Sequence, residues 1–181
     1  VLGKDPRFVL PLYNESGELI GVSGRAINDS PLRYMTMRFR DDVPLIFNLN
    51  KVDKTKTIYV TEGPIDSLFL PNSIAVAGSD FKKIQDDIKD NAILIYDNEP
   101  RNKEIIKKID EVIDFGYKVC IWNDRRIEGC KDINDMIMSG LSESEIVEII
   151  NRNTVYGLSA KLQLMEYKNC LLYTSPSPRD Y

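Results

Sequence analysis

The sequence contains no histidine and only three cysteines, Cys120, Cys130 and Cys170. Without histidine a Cys/His zinc site cannot be assembled, and three scattered cysteines are too few for a disulfide framework. Cys120 lies in an apolar run and reads as a small buried hydrophobe. Long hydrophobic runs are missing as well. None approaches the roughly 18 residues that a membrane span requires, and the opening VLGKDPRF has neither the basic flank nor the apolar stretch of a secretion signal. The expectation is a soluble, cytoplasmic protein with no membrane partner. An excess of positive charge is also absent: the net charge is −4, which argues against a protein that binds nucleic acid over its whole surface. Residues 1–57 carry 9 Lys/Arg against 7 Asp/Glu and the remainder 15 against 21, so the two parts are +2 and −6. That asymmetry hints at a basic front and an acidic site.

The 181 residues are 43% hydrophobic, enough for one ordinary domain plus an appendage. The chain starts at Val1 in the middle of what reads as structure. Its last segment, CLLYTSPSPRD, looks like the conceptual translation of a transposon-end adapter used in sequencing libraries. Residues 170–181 are therefore read as an artefact and set aside, and the natural protein is expected to continue beyond both ends.

Two grammars divide the rest. Phe8 to Tyr13 and Glu18 to Ile27 read as strands joined by Asn14-Glu15-Ser16-Gly17, residue types suited to a tight turn, and Leu32 to Phe39 suits a further strand. From Thr57 onward four short apolar runs follow, Ile58 to Val60, Ile74 to Ala77, Ala92 to Tyr96 and Val119 to Trp122. Each is unbroken rather than alternating, as in strands covered on both faces. Helical patterns lie between them. In Arg101 to Phe115, Ile105, Ile106, Ile109, Val112 and Ile113 form one stripe, with Gly116 as the cap. Asp132 to Met138 reads as a helix ending at Gly140, and Ser142-Glu143-Ser144-Glu145 is a capping box that opens a helix from Glu143 to Ile150. Strand alternating with helix implies an α/β fold with a mainly parallel sheet and right-handed crossovers.

In such sheets ligands bind beyond the carboxyl ends of the strands. The run IYVTEGPIDSLFL delivers Glu62 there, breaks at Gly63, where a sharp turn or a close ligand is accommodated, and places Pro64 at the first helical position with Asp66 facing the helix dipole. In ILIYDNEP, Asp97 and Glu99 leave the next strand at spacing i, i+2, which aims both to one side if the chain stays extended. KDIND then offers Asp132, Asn134 and Asp135 after the fourth strand. Singly, Asp97 and Glu99 suit solvated loop acids, Asp132 a helix cap and Asp66 a first-turn acid. Three acidic loops after three strands of one sheet point instead to a hard divalent cation, which takes carboxylate oxygens together with substrate phosphate and water. Lys82 and Lys83, after Gly78-Ser79-Asp80, suit phosphate contacts, although paired lysines on a helix are more often a solvated face.

EGPID, YDNE and KDIND resemble the three acidic motifs of the Toprim domain, shared by DnaG-type primases, topoisomerases and some nucleases. The segment VLPLYNESGELIGVSGRAINDSPLRYMT resembles the basic subdomain that precedes Toprim in DnaG-type primases, and YDNEPRNKE with KDIND is most similar to the primases of tailed phages of the T-even type. The resemblance implies a partial basic subdomain over residues 1–57, a Toprim domain with a mainly parallel four-stranded sheet over 58–140, and a C-terminal helical segment over 141–169. It implies Glu62, Asp97 and Glu99 as catalytic acids, with Asp132 joining them as metal ligands and Gly63, Asp66 and Asn134 in support. The motif's usual Asp-x-Asp is Asp97-Asn98-Glu99 here, and the second acid of the third motif is an amide, Asn134. Arg25 and Arg33 would contact template or nucleotide phosphate. The implied activity is primer synthesis: an RNA polymerase acting on single-stranded DNA template with ribonucleoside triphosphates and Mg²⁺ or Mn²⁺, without zinc in this region, and joined to a replicative helicase. The alternatives are cleavage of DNA by a Toprim nuclease or topoisomerase, and a Toprim-like domain that only binds nucleic acid.

Overall fold

The computed structural model describes residues 5–76, 81, 84 and 86–169. Ala77, Lys82, Lys83 and the adapter-like tail, on which parts of the sequence reading fell, lie outside the described residues. The chain forms two compact units, residues 1–92 and 93–181.

In the first unit, β1 (Arg7–Tyr13), β2 (Leu19–Ala26) and β3 (Tyr34–Arg38) make an antiparallel sheet in that order. The expected turn joins β1 to β2, with Gly17 at φ 83° and Asn14 Oδ1 accepting the Glu18 amide at 2.8 Å. Leu10 and Leu12 of β1 and Ile20 of β2 point to one face and form a core with Leu45, Phe47 and Ala75. Burial of these side chains is what stabilises the sheet, at about 25 cal/mol per Å² of apolar surface. The same unit contains β4 (Ile58–Thr61), the single-turn α1 (Pro64–Ser67) and β5 (Ser73–Ala75), with β4 and β5 parallel. Every residue of β4 and β5 is buried, as their unbroken apolar runs required.

The second unit runs from β6 (Ala92–Ile95), all but its first residue, through α2 (Lys103–Asp114), β7 (Lys118–Cys120), α3 (Ile133–Met138), α4 (Glu143–Arg152), β8 (Thr154–Val155) and α5 (Gly157–Asn169). β6 and β7 are parallel, with Leu94 opposite Val119. Helix α2 buries Ile105, Ile109, Val112 and Ile113 of the stripe read from sequence and leaves Ile106 half-buried at its edge; it starts at an Asn102 cap and ends before Gly116 at φ 81°. The Ser142/Glu145 capping box is present at the start of α4.

The architecture is mixed α/β, with the three-stranded antiparallel sheet and a mostly parallel sheet of five strands rather than four. The additional strand is β8, antiparallel to β7. It has two residues between two helices, too short to show an apolar period. Among the described residues no helix is long and apolar enough to cross a membrane.

Candidate active site

Glu62 follows the last residue of β4 and is partly exposed. The strand ends where the next helix begins: Thr61 Oγ1 donates to the Gly63 carbonyl at 2.9 Å, Gly63 precedes α1 with an extended backbone, and Pro64 opens the helix at once. A carboxylate placed just past a buried strand keeps its access to water, so the desolvation cost of a buried charge does not arise. Gly63 is tightly surrounded. A Cβ there would lie 2.8 Å from Asp66 Oδ2 and 3.8 Å from the Tyr34 hydroxyl. Tyr34 of β3 carries the Arg25 guanidinium over its ring, 4.7 Å from the centroid. Burial pushes the Tyr34 hydroxyl above its ordinary pKa, against Arg25, while Asp66 adds to the rise. Arg25, Tyr34, Gly63 and Asp66 therefore form one neighbourhood. Arg25 and Arg33 also line an open cleft of about 540 Å³ with Asn28, Asp29 and Ser30.

The second group belongs to the other unit. Asp97 and Glu99 follow β6, and their side chains do reach one point: Lys131 Nζ lies 3.8 Å from Asp97 Oδ2 and 3.2 Å from Glu99 Oε1. Glu99 foremost holds the Lys131 ammonium above its usual pKa, with Asp97 and Asp132 acting in the same direction. Glu99 Oε2 also accepts from the Asn102 amide at 3.0 Å. Asn98, between the two acids, ties the loop to the segment after β7: its backbone N–H donates to the Lys131 carbonyl at 2.6 Å and its side-chain amide to the Cys130 carbonyl at 2.9 Å. Its Oδ1 accepts the Tyr167 hydroxyl of α5 at 3.0 Å. Burial first, then Cys120 and after it the nearby Glu99 and Asp97 charges, raises the Tyr167 pKa, so this hydroxyl stays protonated and donating.

Asp132 caps α3, accepting the Asp135 amide at 2.8 Å, while Asp135 Oδ2 accepts the Lys131 amide at 3.1 Å. Asn134 lies in the first turn of α3 and is partly exposed. Among the described residues no group of three or more His, Cys, Asp or Glu is arranged to hold a metal. What stands at the end of β6 is a pair of carboxylates around one ammonium. The donor set suits a hard divalent cation, which commonly uses one or two carboxylates and completes its shell with water and phosphate.

Sequence reasoning missed Lys131, Asn98, Tyr34 and Tyr167. Lys131 opens KDIND and stands next to a motif acid, a signal that was available. Tyr167 lies 68 residues after Glu99 and only the fold brings it to the loop.

No family model matches the chain. Over 165 residues it is 37% identical to the DNA primase of Enterobacteria phage T4, an alignment that covers 90% of this chain and 48% of that protein. The chain is thus similar to a DNA primase over most of its own length. Primase structures share its fold: the Escherichia coli primase catalytic core matches with TM-score 0.65 and 15% identity over 88% of this chain and 56% of that one. The primase fragment of the bacteriophage T7 primase-helicase protein matches with TM-score 0.61 and 20% identity over 82% of this chain and 63% of that one. The chain has the expected fold class and spans about half the length of its phage T4 relative.

Proposed function

We propose that this chain is the catalytic region of a primase that makes short RNA primers on single-stranded DNA. The observation that carries the reading is the convergence of Asp97 and Glu99 on a single cation beyond β6, in a chain 37% identical to a DNA primase. In the proposed reaction the 3′-hydroxyl of one ribonucleotide attacks the α-phosphate of the next, and pyrophosphate leaves. Mg²⁺, for which Mn²⁺ substitutes, would neutralise charge on the attacking and leaving oxygens. Asp97 and Glu99 would hold it, with Asp132 nearby. Glu62 acts as a further ligand or accepts the hydroxyl proton. Gly63 and Asp66 shape the turn that presents Glu62, and Asn134 supports the third motif. Arg25 and Arg33, at the edge of their cleft, would bind template or nucleotide phosphate through the guanidinium fork. In the domain scheme we propose, residues 1–57 belong to the basic subdomain, 58–140 to Toprim and 141–169 to a helical extension. The proposed setting is the cytoplasm, beside a replicative helicase.

The test incubates the chain and its Asp97→Ala variant with circular single-stranded DNA, Mg²⁺ or Mn²⁺ and labelled ribonucleotides, and resolves RNA and DNA on one gel. Short template-dependent RNA that disappears with the variant is the expected result. RNA synthesis retained by Asp97→Ala overturns the site, and cleaved DNA without RNA moves the reading to a Toprim nuclease.

A further inference from the structure

We propose that Lys131 is a tethered counter-cation that occupies the divalent-metal position between Asp97 and Glu99 and swings out when the metal enters. The inference rests on the metal-site reading of that acidic pair. Two carboxylates on one short loop repel each other unless a cation lies between them, and the structure supplies one from the chain itself. The Lys131 ammonium approaches Glu99 Oε1 at 3.2 Å and Asp97 Oδ2 at 3.8 Å.

The lysine's backbone and side chain differ in freedom. Its carbonyl accepts from Asn98 N–H at 2.6 Å and its amide donates to Asp135 Oδ2 at 3.1 Å, so the main chain is held on both sides. Its side chain is 48% exposed, and its tip faces the two carboxylates. A flexible four-carbon stem ending in a strongly hydrated ammonium can leave for solvent at small cost, which a planar, forked guanidinium would do less readily. Because the ammonium is tethered, its effective concentration at the pair is high whatever the salt, and it competes with free cations continuously. A divalent ion carries twice the charge and displaces it. Lys131 therefore keeps the metal-free pair from repelling itself and lowers the pair's affinity for metal. Neither effect involves a change in the lysine's protonation.

The competition is tested by titrating Mn²⁺ into the chain and following free Mn²⁺ by electron paramagnetic resonance, for wild type, Asp97→Asn, Lys131→Met, Lys131→Gln and Lys107→Met. Lys107, exposed on α2, controls for the loss of one positive charge. Lys131→Met and Lys131→Gln are expected to bind Mn²⁺ roughly three- to tenfold more tightly, the scale of one or two partly exposed ion pairs. Lys107→Met should bind as wild type does. Having both Lys131 variants keeps the test open if one fails to fold, which thermal melting reports. Unchanged or weaker binding by the Lys131 variants, or equal tightening by Lys107→Met, overturns the proposal while wild-type binding that is lost in Asp97→Asn leaves the metal site standing. Wild-type-like binding by Asp97→Asn overturns the metal site itself.

Discussion

The loop after β4 and the loop after β6 each carry acids past the end of a buried strand, but they are held by different forces. After β4 the constraint is space. Gly63 has no room for a Cβ beside Asp66, Pro64 fixes the first helical residue, and Ser67 Oγ donates to the Pro64 carbonyl at 2.7 Å, which closes the turn. After β6 the constraint is polar: Asn98 makes three hydrogen bonds through its backbone and side chain, and an ammonium faces both acids. The first loop should therefore be sensitive to added volume and the second to a lost partner.

The contrast is sharpest at Asn98. Asn98→Leu removes the bonds to the Cys130 carbonyl and the Tyr167 hydroxyl and leaves that hydroxyl without its acceptor. The expected cost is about 2–3 kcal/mol, the range for an unsatisfied buried polar group plus a lost bond. Urea denaturation should read it as a lower midpoint with an unchanged slope. RNA synthesis should fall with it, because Asp97 and Glu99 flank the residue. A variant of wild-type stability would show that the loop is held by something else.

Gly63→Ala tests the other loop. The new Cβ at 2.8 Å would force the Asp66 carboxylate, the far end of a flexible side chain, to turn away, at about 1 kcal/mol, the scale of a side chain pushed off its rotamer. In the Asp66→Ala background the same change should cost close to nothing, so the double-mutant cycle reports the clash directly. Additive losses would mean that the tight space at Gly63 comes from the backbone and not from Asp66.

These two loops also differ in how far the sequence revealed them. Glu62-Gly63-Pro64 was legible because Gly and Pro carry local rules, and the structure puts the strand end, the turn and the first helical residue at those positions. The i, i+2 spacing of Asp97 and Glu99 implied one shared side only for an extended chain; the Glu99 amide instead donates to the Asp97 carbonyl at 2.9 Å, closing a tight turn about Asn98, and both acids still reach Lys131. Their partners were less visible: Lys131 was adjacent to a quoted motif, whereas Tyr167 comes from a helix whose approach depends on packing far along the chain. β8 escaped for a related reason. Thr154 and Val155 pair with Cys120 and Val119 through tertiary context, and two residues cannot display a period.

Tyr167→Phe isolates one bond of the second loop. It keeps the ring and removes the 3.0 Å donation to Asn98 Oδ1, leaving that oxygen unpaired but the other two Asn98 bonds intact. The expected loss is about 1 kcal/mol, less than for Asn98→Leu. For a chain of this size that corresponds to a fall of about 2–4 °C in Tm. A larger loss would mean that α5 orders the whole loop through this hydroxyl.

The smallest effect is expected at a surface ion pair of the second unit. Lys161 of α5 reaches Asp110 and Asp114 of α2 at 2.7 and 2.9 Å, yet its side chain is 29% exposed and those of the acids 48% and 68%. Lys161→Met should cost about 0.2–1 kcal/mol at low salt and less as salt rises, because water and ions screen such pairs. Ala160 and Leu164 of the same helix are fully or almost fully buried, and that burial survives the substitution. If apolar packing is what brings α5 to the Asn98 loop, Lys161→Met and Tyr167→Phe will be additive in thermal melts. A coupling of 0.5 kcal/mol or more, removed by salt, would instead show that the ion pairs set the position from which Tyr167 reaches Asn98.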